Sequence, residues 1–304
     1  MIDPRRLRVL RALADHGTVT AAAHALYLSP SAVSQQLTAL ETETGHTLLE
    51  RRGRTVRLTA AGSVLARHAT EVAAQLERAE ADLARCSTGL AGDVAIAAFA
   101  TSITEVVAPA VAALRERAPQ VRVRVKDAEG HTSARLLMDG EVDIAVAVEH
   151  RDSLGTMDGQ LLRTPLYAEP FDVVLPPGHR LADEPEIGLA DLREEPWITP
   201  WPGNPVHEAV VRACEEARFQ PRVECLSDDF SAVCALVAVG AGVALVPRSA
   251  LHGIRPALTP AVRPVRGPGP TRRVFTAVRR GSEGHPLLRL ALEGLRAQAA
   301  RLTT

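Results

Sequence analysis

Lysine is almost missing from this chain of 304 residues: among 35 basic residues only Lys126 is a lysine, and the rest are arginine. Nearly every positive charge is therefore a planar fork, a shape matched to phosphate and guanine. Long apolar runs are missing as well. The richest stretch, Ala232 to Val246, is interrupted by Gly240 and Gly242 and falls short of the roughly 18–20 apolar residues of a membrane span. The opening MIDPRRLRVLRALADHG carries charges throughout, so it lacks the apolar core of a secretory signal. The expected location is the cytoplasm, with no membrane partner. Cysteine is sparse. Residues 86, 214, 225 and 234 include no C-x-x-C pair, which argues against zinc and for reduced thiols. Also absent are G-x-S-x-G, H-E-x-x-H and a P-loop. Gly240-Ala-Gly242 is too short for a dinucleotide fingerprint and precedes a strand. No catalytic residue, metal or cofactor is expected.

What is present fits a multidomain globular protein. Hydrophobic residues make up 46% and charged residues 23%, ordinary values for a soluble chain, and the length suits two or three domains. The net charge is −1, so any nucleic-acid-binding charge must be local. It is. Residues 1–58 hold arginines 5, 6, 8, 11, 51, 52, 54 and 57 against acids 3, 15, 41, 43 and 50, a balance of +3 that leaves −4 for the remainder. An asymmetry this modest predicts binding that relies on avidity.

Three zones follow one another. In residues 1–58, Pro4 opens a helix with Ile2, Leu7, Leu10 and Leu13 along one stripe, closed by Gly17. Thr18 caps a second helix rich in alanine, and Tyr27-Leu28-Ser29 forms a tight turn. Ser29 caps a third helix, with Pro30 at its first position and Val33, Leu37 and Leu40 on one face. A helix, a three-residue turn and a helix make a helix-turn-helix. The start of the third helix offers Pro30, Ser31, Ser34, Gln35 and then Thr38, side chains able to bond phosphate or a base edge. A capped surface helix facing water accounts for the spacing equally well. ERRGRTVRL shifts the balance: Gly53 permits a hairpin, or wing, whose Arg51, Arg52, Arg54 and Arg57 would grip phosphates or a narrow minor groove.

Residues 59–87 read as one helix capped by Thr59. Leu65, Ala69, Val72, Leu76, Ala79, Leu83 and Cys86 form a seam with heptad spacing. An amphipathic surface helix would look similar, but the length and strict spacing favour pairing with another helix through Leu65, Val72, Leu76 and Leu83. Beyond residue 92, strand and helix patterns alternate, which argues for mainly parallel sheets covered by helices.

The run TAAAHALYLSPSAVSQQLTALETETGHTLLERRGRTVRLTAAG closely resembles the DNA-binding signature of LysR-type transcriptional regulators. The likeness is carried by the alanine cluster, Ser-Pro-Ser-Ala-Val-Ser, Leu40-Glu41, Gly45, Leu48, Arg51 and Leu58-Thr59-x-x-Gly62. It weakens after residue 92, where DGEVDIAVA and VAVGAGVALVP still match. Leu49 departs from the family's usual phenylalanine, and Leu10 lies where an aromatic is common nearby. The resemblance implies an α/β protein overall. An N-terminal all-α winged helix-turn-helix (1–58) and a long linker or dimerisation helix (59–90) would precede a C-terminal two-lobed α/β effector-binding domain like periplasmic solute binders (91–304). Lobe I would span about 91–164 and 266–304, and lobe II about 165–265. It implies antiparallel pairing of linker helices, a homodimer or homotetramer, double-stranded promoter DNA as partner, and a small-molecule effector between the lobes. By local match the effector residues would be Ala100, Thr101, Ser102, His131, Thr132, Glu149, Thr199, Trp201 and Val246. Their hydroxyls and amides suit a polar ligand such as a carboxylate, while helix capping explains Thr101, Ser102 and Thr132 without one. No arginine fork marks the site, which leaves the ligand's charge open.

Two rival readings remain. A thiol-based redox sensor is suggested by the gap between Cys225 and Cys234, although that pair does not match the position used by the family's peroxide-sensing branch. A solute-binding protein without catalysis would need the N-terminal zone to be incidental.

Overall fold

The computed structural model describes residues 2–52, 55–86, 90–149, 159–252 and 260–302. Gly53 and Arg54 lie outside them, as do the side chains of Arg51, Arg52 and His131.

The first zone packs three helices, α1 (Pro4–His16), α2 (Val19–Ala25) and α3 (Pro30–Thr44), beside an antiparallel hairpin of β1 (Leu49–Arg52) and β2 (Thr55–Leu58). The caps sit where the sequence places them. The Thr18 hydroxyl accepts from the Ala21 amide and the Ser29 hydroxyl from that of Ala32, each satisfying a donor that the helix cannot. Leu7, Leu10, Leu13, Ala22, Ala23, Val33, Leu37, Leu40 and Leu48 form the core. Ile2, expected on the same stripe, is exposed. Gly62 sets the approach of the next helix, because a Cβ there would lie 2.1 Å from the Leu48 carbonyl oxygen.

That helix, α4 (Ala60–Cys86), is capped by Thr59, whose hydroxyl accepts from the Gly62 amide. The seam divides along its length. Leu65 and Ala69 turn into the winged-helix core, whereas Val72, Leu76, Ala79, Leu83 and Cys86 are exposed. Leu65 is therefore a correction to the expected pairing stripe. An α-helix drifts about 20° per heptad against a seven-residue repeat, so one seam cannot keep a single neighbour over this length without supercoiling. The buried face of small residues, Ala74 and Ala81, lies against the chain's own C-terminal domain. There Gly281 (φ 101°) brings its Cα so close that a Cβ would sit 2.2 Å from the Ala74 carbonyl oxygen.

The C-terminal domain has two lobes, the first with a buried cluster on each face of its sheet and the second with one. The first is built on β3 (Gly92–Ala98), β4 (Val121–Asp127) and β5 (Ile144–Val148), which pair in parallel, flanked by α5 (Ala100–Ser102), α6 (Ala108–Arg117) and α7 (Gly130–Met138). A π-helical turn, Ile103–Val107, joins α5 to α6. The strand β6 (Leu161–Leu175) then crosses into the second lobe. Tyr167 belongs to the first core and Phe171 to the second, so the crossing falls a few residues beyond the expected 165. The second lobe contains β7 (Pro196–Thr199), α8 (Pro205–Glu216), β8 (Arg222–Leu226), α9 (Phe230–Ala238), β9 (Ala244–Pro247) and β10 (Ala261–Pro264). The chain returns through β11 (Thr271–Arg279) and ends in α10 (Pro286–Ala299), which covers the first core.

The sheets are mixed rather than mainly parallel. β6 pairs antiparallel with β9, β10 and β11, and β11 with β5. The cause is topological: two strands that leave and re-enter the same lobe run in opposite senses. A 15-residue β6 was not legible because Pro165 and Pro170 interrupt it. The register with β11 shifts beside Pro165, between Val274 and Phe275; a bulge accommodates a residue that cannot donate to the ladder.

Candidate nucleic-acid interface and effector cleft

The tip of α3 is open to solvent. Ser29, Pro30, Ser31, Ser34, Gln35 and Thr38 are all exposed, while Val33, Leu37 and Leu40 on the opposite face are buried. Three hydroxyls are held internally, since Ser29 Oγ lies 2.9 Å from Ser31 Oγ and Ser34 Oγ donates to the Pro30 carbonyl. The Gln35 side chain has no hydrogen bond among the described residues and can turn toward a partner. Arg57 is exposed on the hairpin, and Arg5 and Arg8 on α1. One residue was missed: Tyr27, 82% exposed with φ 55°, stands in the turn between α2 and α3. A tight-turn motif says which residues bend, not that a bulky ring will point outward.

Between the lobes lies a cavity of about 420 Å³, lined by Ala100, Thr101, Thr104, Glu105, Asp127 and Glu129 of the first lobe and by residues 228–231, Ser249 and Ala250 of the second. Of the expected effector residues, Ala100 and Thr101 are on this wall. The others are not. Ser102 is buried and donates to the Phe99 carbonyl. Thr199 is buried, with its hydroxyl bonded to the Pro200 carbonyl and 3.2 Å from His207 Nδ1. Val246 fills the second core. Thr132 is exposed away from the wall. Trp201 is 56% exposed outside the wall, its amide held by Asp228. Glu149 faces a different recess with Arg163, Arg212 and Arg273. A strand end and the loop or helix start after it offer several consecutive residues, and local sequence spacing does not say which of them faces the cleft.

Among the described residues no arginine lines the cleft wall, but one is buried behind it. Arg272, 2% exposed, lies under the cleft floor and donates from Nε and Nη2 to Glu169 Oε1 at 3.0 and 2.6 Å. The two residues are direct partners in the β6–β11 ladder. Nη2 also donates to the Thr101 hydroxyl at 3.1 Å and to Ser249 Oγ at 3.3 Å, and Glu169 accepts from the Ser249 amide at 2.7 Å. The guanidinium stacks 4.9 Å from the Phe99 ring centre. One ion pair thus ties together the first lobe, the crossing strands and the second lobe. Removing one partner from such a buried pair costs about 3–5 kcal/mol, since it strands the other charge. Beside it, Arg248 grips Asp172 through both oxygens at 2.8 and 2.7 Å, and this hydrogen bonding raises the arginine's pKa.

The first lobe also holds the linker helix and the winged helix. Arg279 Nε donates to Glu77 Oε1 of α4 at 2.6 Å, while its other nitrogens reach the Leu137 and Val142 carbonyls and Asp143. At the end of α1, Asp15 accepts from Gln160 at 2.6 Å and His16 meets Asp139 at 2.9 Å. Among the described residues no three His, Cys, Asp or Glu side chains converge on a metal position, and no helix is long and apolar enough to cross a membrane.

The cysteines are free: Cys86 is exposed, Cys225 half-buried, and Cys214 and Cys234 buried. Burial pushes the Cys214 thiol up to about 12 and that of Cys234 up to about 11. Thiols held protonated are poor nucleophiles, which argues against the redox alternative.

A helix-turn-helix with a wing, joined by one long helix to a two-lobed domain with a central cleft, defines a class of ligand-responsive DNA-binding regulators. The chain matches the model of the bacterial regulatory helix-turn-helix protein, lysR family, over residues 4–63, and that of the LysR substrate binding domain over residues 87–300. It belongs to the LysR family of DNA-binding transcriptional regulators with an effector-binding domain. Its relatives include the HTH-type transcriptional regulator AlsR of Bacillus subtilis, 29% identical with 82% of each chain covered. The transcriptional dual regulator GltC of the same species is 27% identical, covering 90% of this chain and 89% of GltC. Among solved structures it is similar to a full-length OxyR variant from Pseudomonas aeruginosa, with a TM-score of 0.64, 26% identity and 98% of each chain covered.

Proposed function

We propose that α3 enters the major groove of promoter DNA, with Gln35, Ser31, Ser34 and Thr38 at the bases and Ser29, Pro30 and the wing arginines 51, 52, 54 and 57 along the backbone. The observation that carries this is the division of α3, whose polar tip is exposed while its apolar face is the domain's core. Val72, Leu76 and Leu83 pair with a second copy, giving a homodimer or homotetramer that reads a palindromic site. The zones 1–58, 59–90 and 91–304 act as head, connector and sensor, and the cleft around Ala100 and Thr101 takes the effector. Lobe closure then moves α4 through Arg279 and Glu77. A ligand shifts that balance only as far as it prefers one lobe arrangement. The chain works in the cytoplasm without catalysing a reaction.

The test is a titration of the full-length protein against DNA fragments upstream of its own gene at several salt concentrations. Affinity should fall steeply with salt. Gln35→Ala should lose about 1–3 kcal/mol of discrimination between specific and random DNA. Arg57→Ala should instead lower the salt slope by about one. No salt-sensitive affinity for any upstream fragment would sink this reading.

A further inference from the structure

The cleft wall carries five carboxylates, Glu105, Asp127, Glu129, Asp228 and Asp229, and no lysine, arginine or histidine among its described residues. Three nearby cations among the described residues are already engaged: Arg272 with Glu169, Arg248 with Asp172, and His252 with Glu105. Three of the five carboxylates have structural work. Glu105 meets His252 at 3.0 Å, Asp228 holds the Trp201 amide and the Asn204 side chain, and Asp229 caps α9 by accepting from the Ser231 amide at 2.8 Å. Asp127 and Glu129 have no side-chain hydrogen bond or ion pair among the described residues.

Helix N-termini ordinarily favour anions. Here the positions that would receive one hold acids, Glu129 before α7 and Asp229 before α9. An anionic ligand would meet like charge at both. Glu129 and Asp228 face each other from opposite lobes. Desolvation first, and then the like charges of Asp228 and Asp127, raise the Glu129 carboxyl, although Arg272 pulls the other way. Water reaches this side chain, but protein surrounds it within the concavity. Tyr167 lies in the first core rather than on the cleft wall, and its buried hydroxyl has no hydrogen-bond partner among the described residues. The carboxylates do not converge as a metal site requires; they are spread along a wall that also presents Phe230, Ala100 and Ala250.

We propose that the effector of this chain is a small organic cation, an amine or guanidinium on a short hydrocarbon body, held between Asp127 and Glu129 of the first lobe and Asp228 of the second. This rests on the cleft being the effector site; the acids decide only the ligand's charge. The like charges of the two walls repel each other. A cation placed between them removes the repulsion and draws the lobes together, which supplies the differential affinity that a switch needs.

The experiment is calorimetric titration of the full-length protein with butylamine and 1,4-diaminobutane, and with butyrate and succinate at matched ionic strength. The amines should bind at least about tenfold more tightly than the acids, and Asp127→Asn with Glu129→Gln should weaken them by about tenfold or more. Glu129→Lys should reverse the preference toward butyrate, so the idea does not depend on the double variant folding well. Tighter binding of the acids, no amine binding up to about 10 mM, or amine binding unchanged in the double variant would each overturn the charge assignment. Ala100→Trp, which fills the cleft, separates this from the reading beneath it. If it removes a preference for the acids, only the charge assignment is wrong. If it leaves every bound probe undisturbed, the cleft itself is not the site.

Discussion

At the scale of single residues, the cysteines show how burial sets chemistry. Cys214 and Cys234 look alike in sequence to Cys86, yet apolar surroundings hold both as thiols well above the ordinary value of 9.0. Iodoacetamide at pH 8 should modify Cys86 readily and the buried pair only after denaturant is added. The same shift makes a stability prediction. A folded-state pKa above the unfolded one means that the folded protein binds more protons. The contribution is complete below pH 9 and is lost as pH rises toward about 11 for Cys234 and about 12 for Cys214. Denaturant midpoints should decline across that window more in the wild type than in Cys214→Ala with Cys234→Ala. An equal decline would show that the thiols do not titrate differently in the two states.

At the scale of elements, α4 carries two faces with different tasks. Its alanines pack on the chain's own domains, and its larger residues stand open: Leu76 is 57% and Leu83 70% exposed. Apolar area of this kind on a helix stabilises association by about 25 cal/mol per Å² once covered. Leu76→Asp should shift the protein toward monomer in light scattering and cost about a hundredfold in affinity for a two-fold-symmetric site, the low end of what avidity supplies. An unchanged mass would move the pairing surface elsewhere. The seam was legible from its spacing. Its division was not, because heptad spacing cannot say that Leu65 is already needed by the core of residues 7–48.

At the scale of the whole molecule, the question is what carries a change in the cleft to the DNA-reading head. The Arg279–Glu77 pair joins the crossing strand β11 to α4, with both side chains about one-fifth exposed. Such a half-sheltered pair contributes about 1 kcal/mol. Glu77→Gln should therefore raise amide hydrogen exchange along residues 74–81 by about fivefold, while the amides of α3 keep their protection. Exchange that stays the same would place the coupling elsewhere, for instance at the contact of Asp15 and His16 with Gln160 and Asp139.

The reading head was legible residue by residue. Caps, small-residue packing and turn chemistry act within one or two helical turns, so TAAAHALYLSPSAVSQQL determines its local structure without distant help, and the open tip of α3 follows from the same periodicity that buries Val33, Leu37 and Leu40. The effector cleft was legible only as a place. Its walls bring Asp127 and Glu129 against Asp228, about a hundred residues away in the chain, and its floor sets Arg272 opposite Glu169. Those encounters depend on β6 and β11 crossing between the lobes in a particular register. A single residue's slip in that register would turn each side chain to the opposite face. Short-range periodicity carries no information about such a crossing, so the tertiary structure alone decided the chemistry of the cleft.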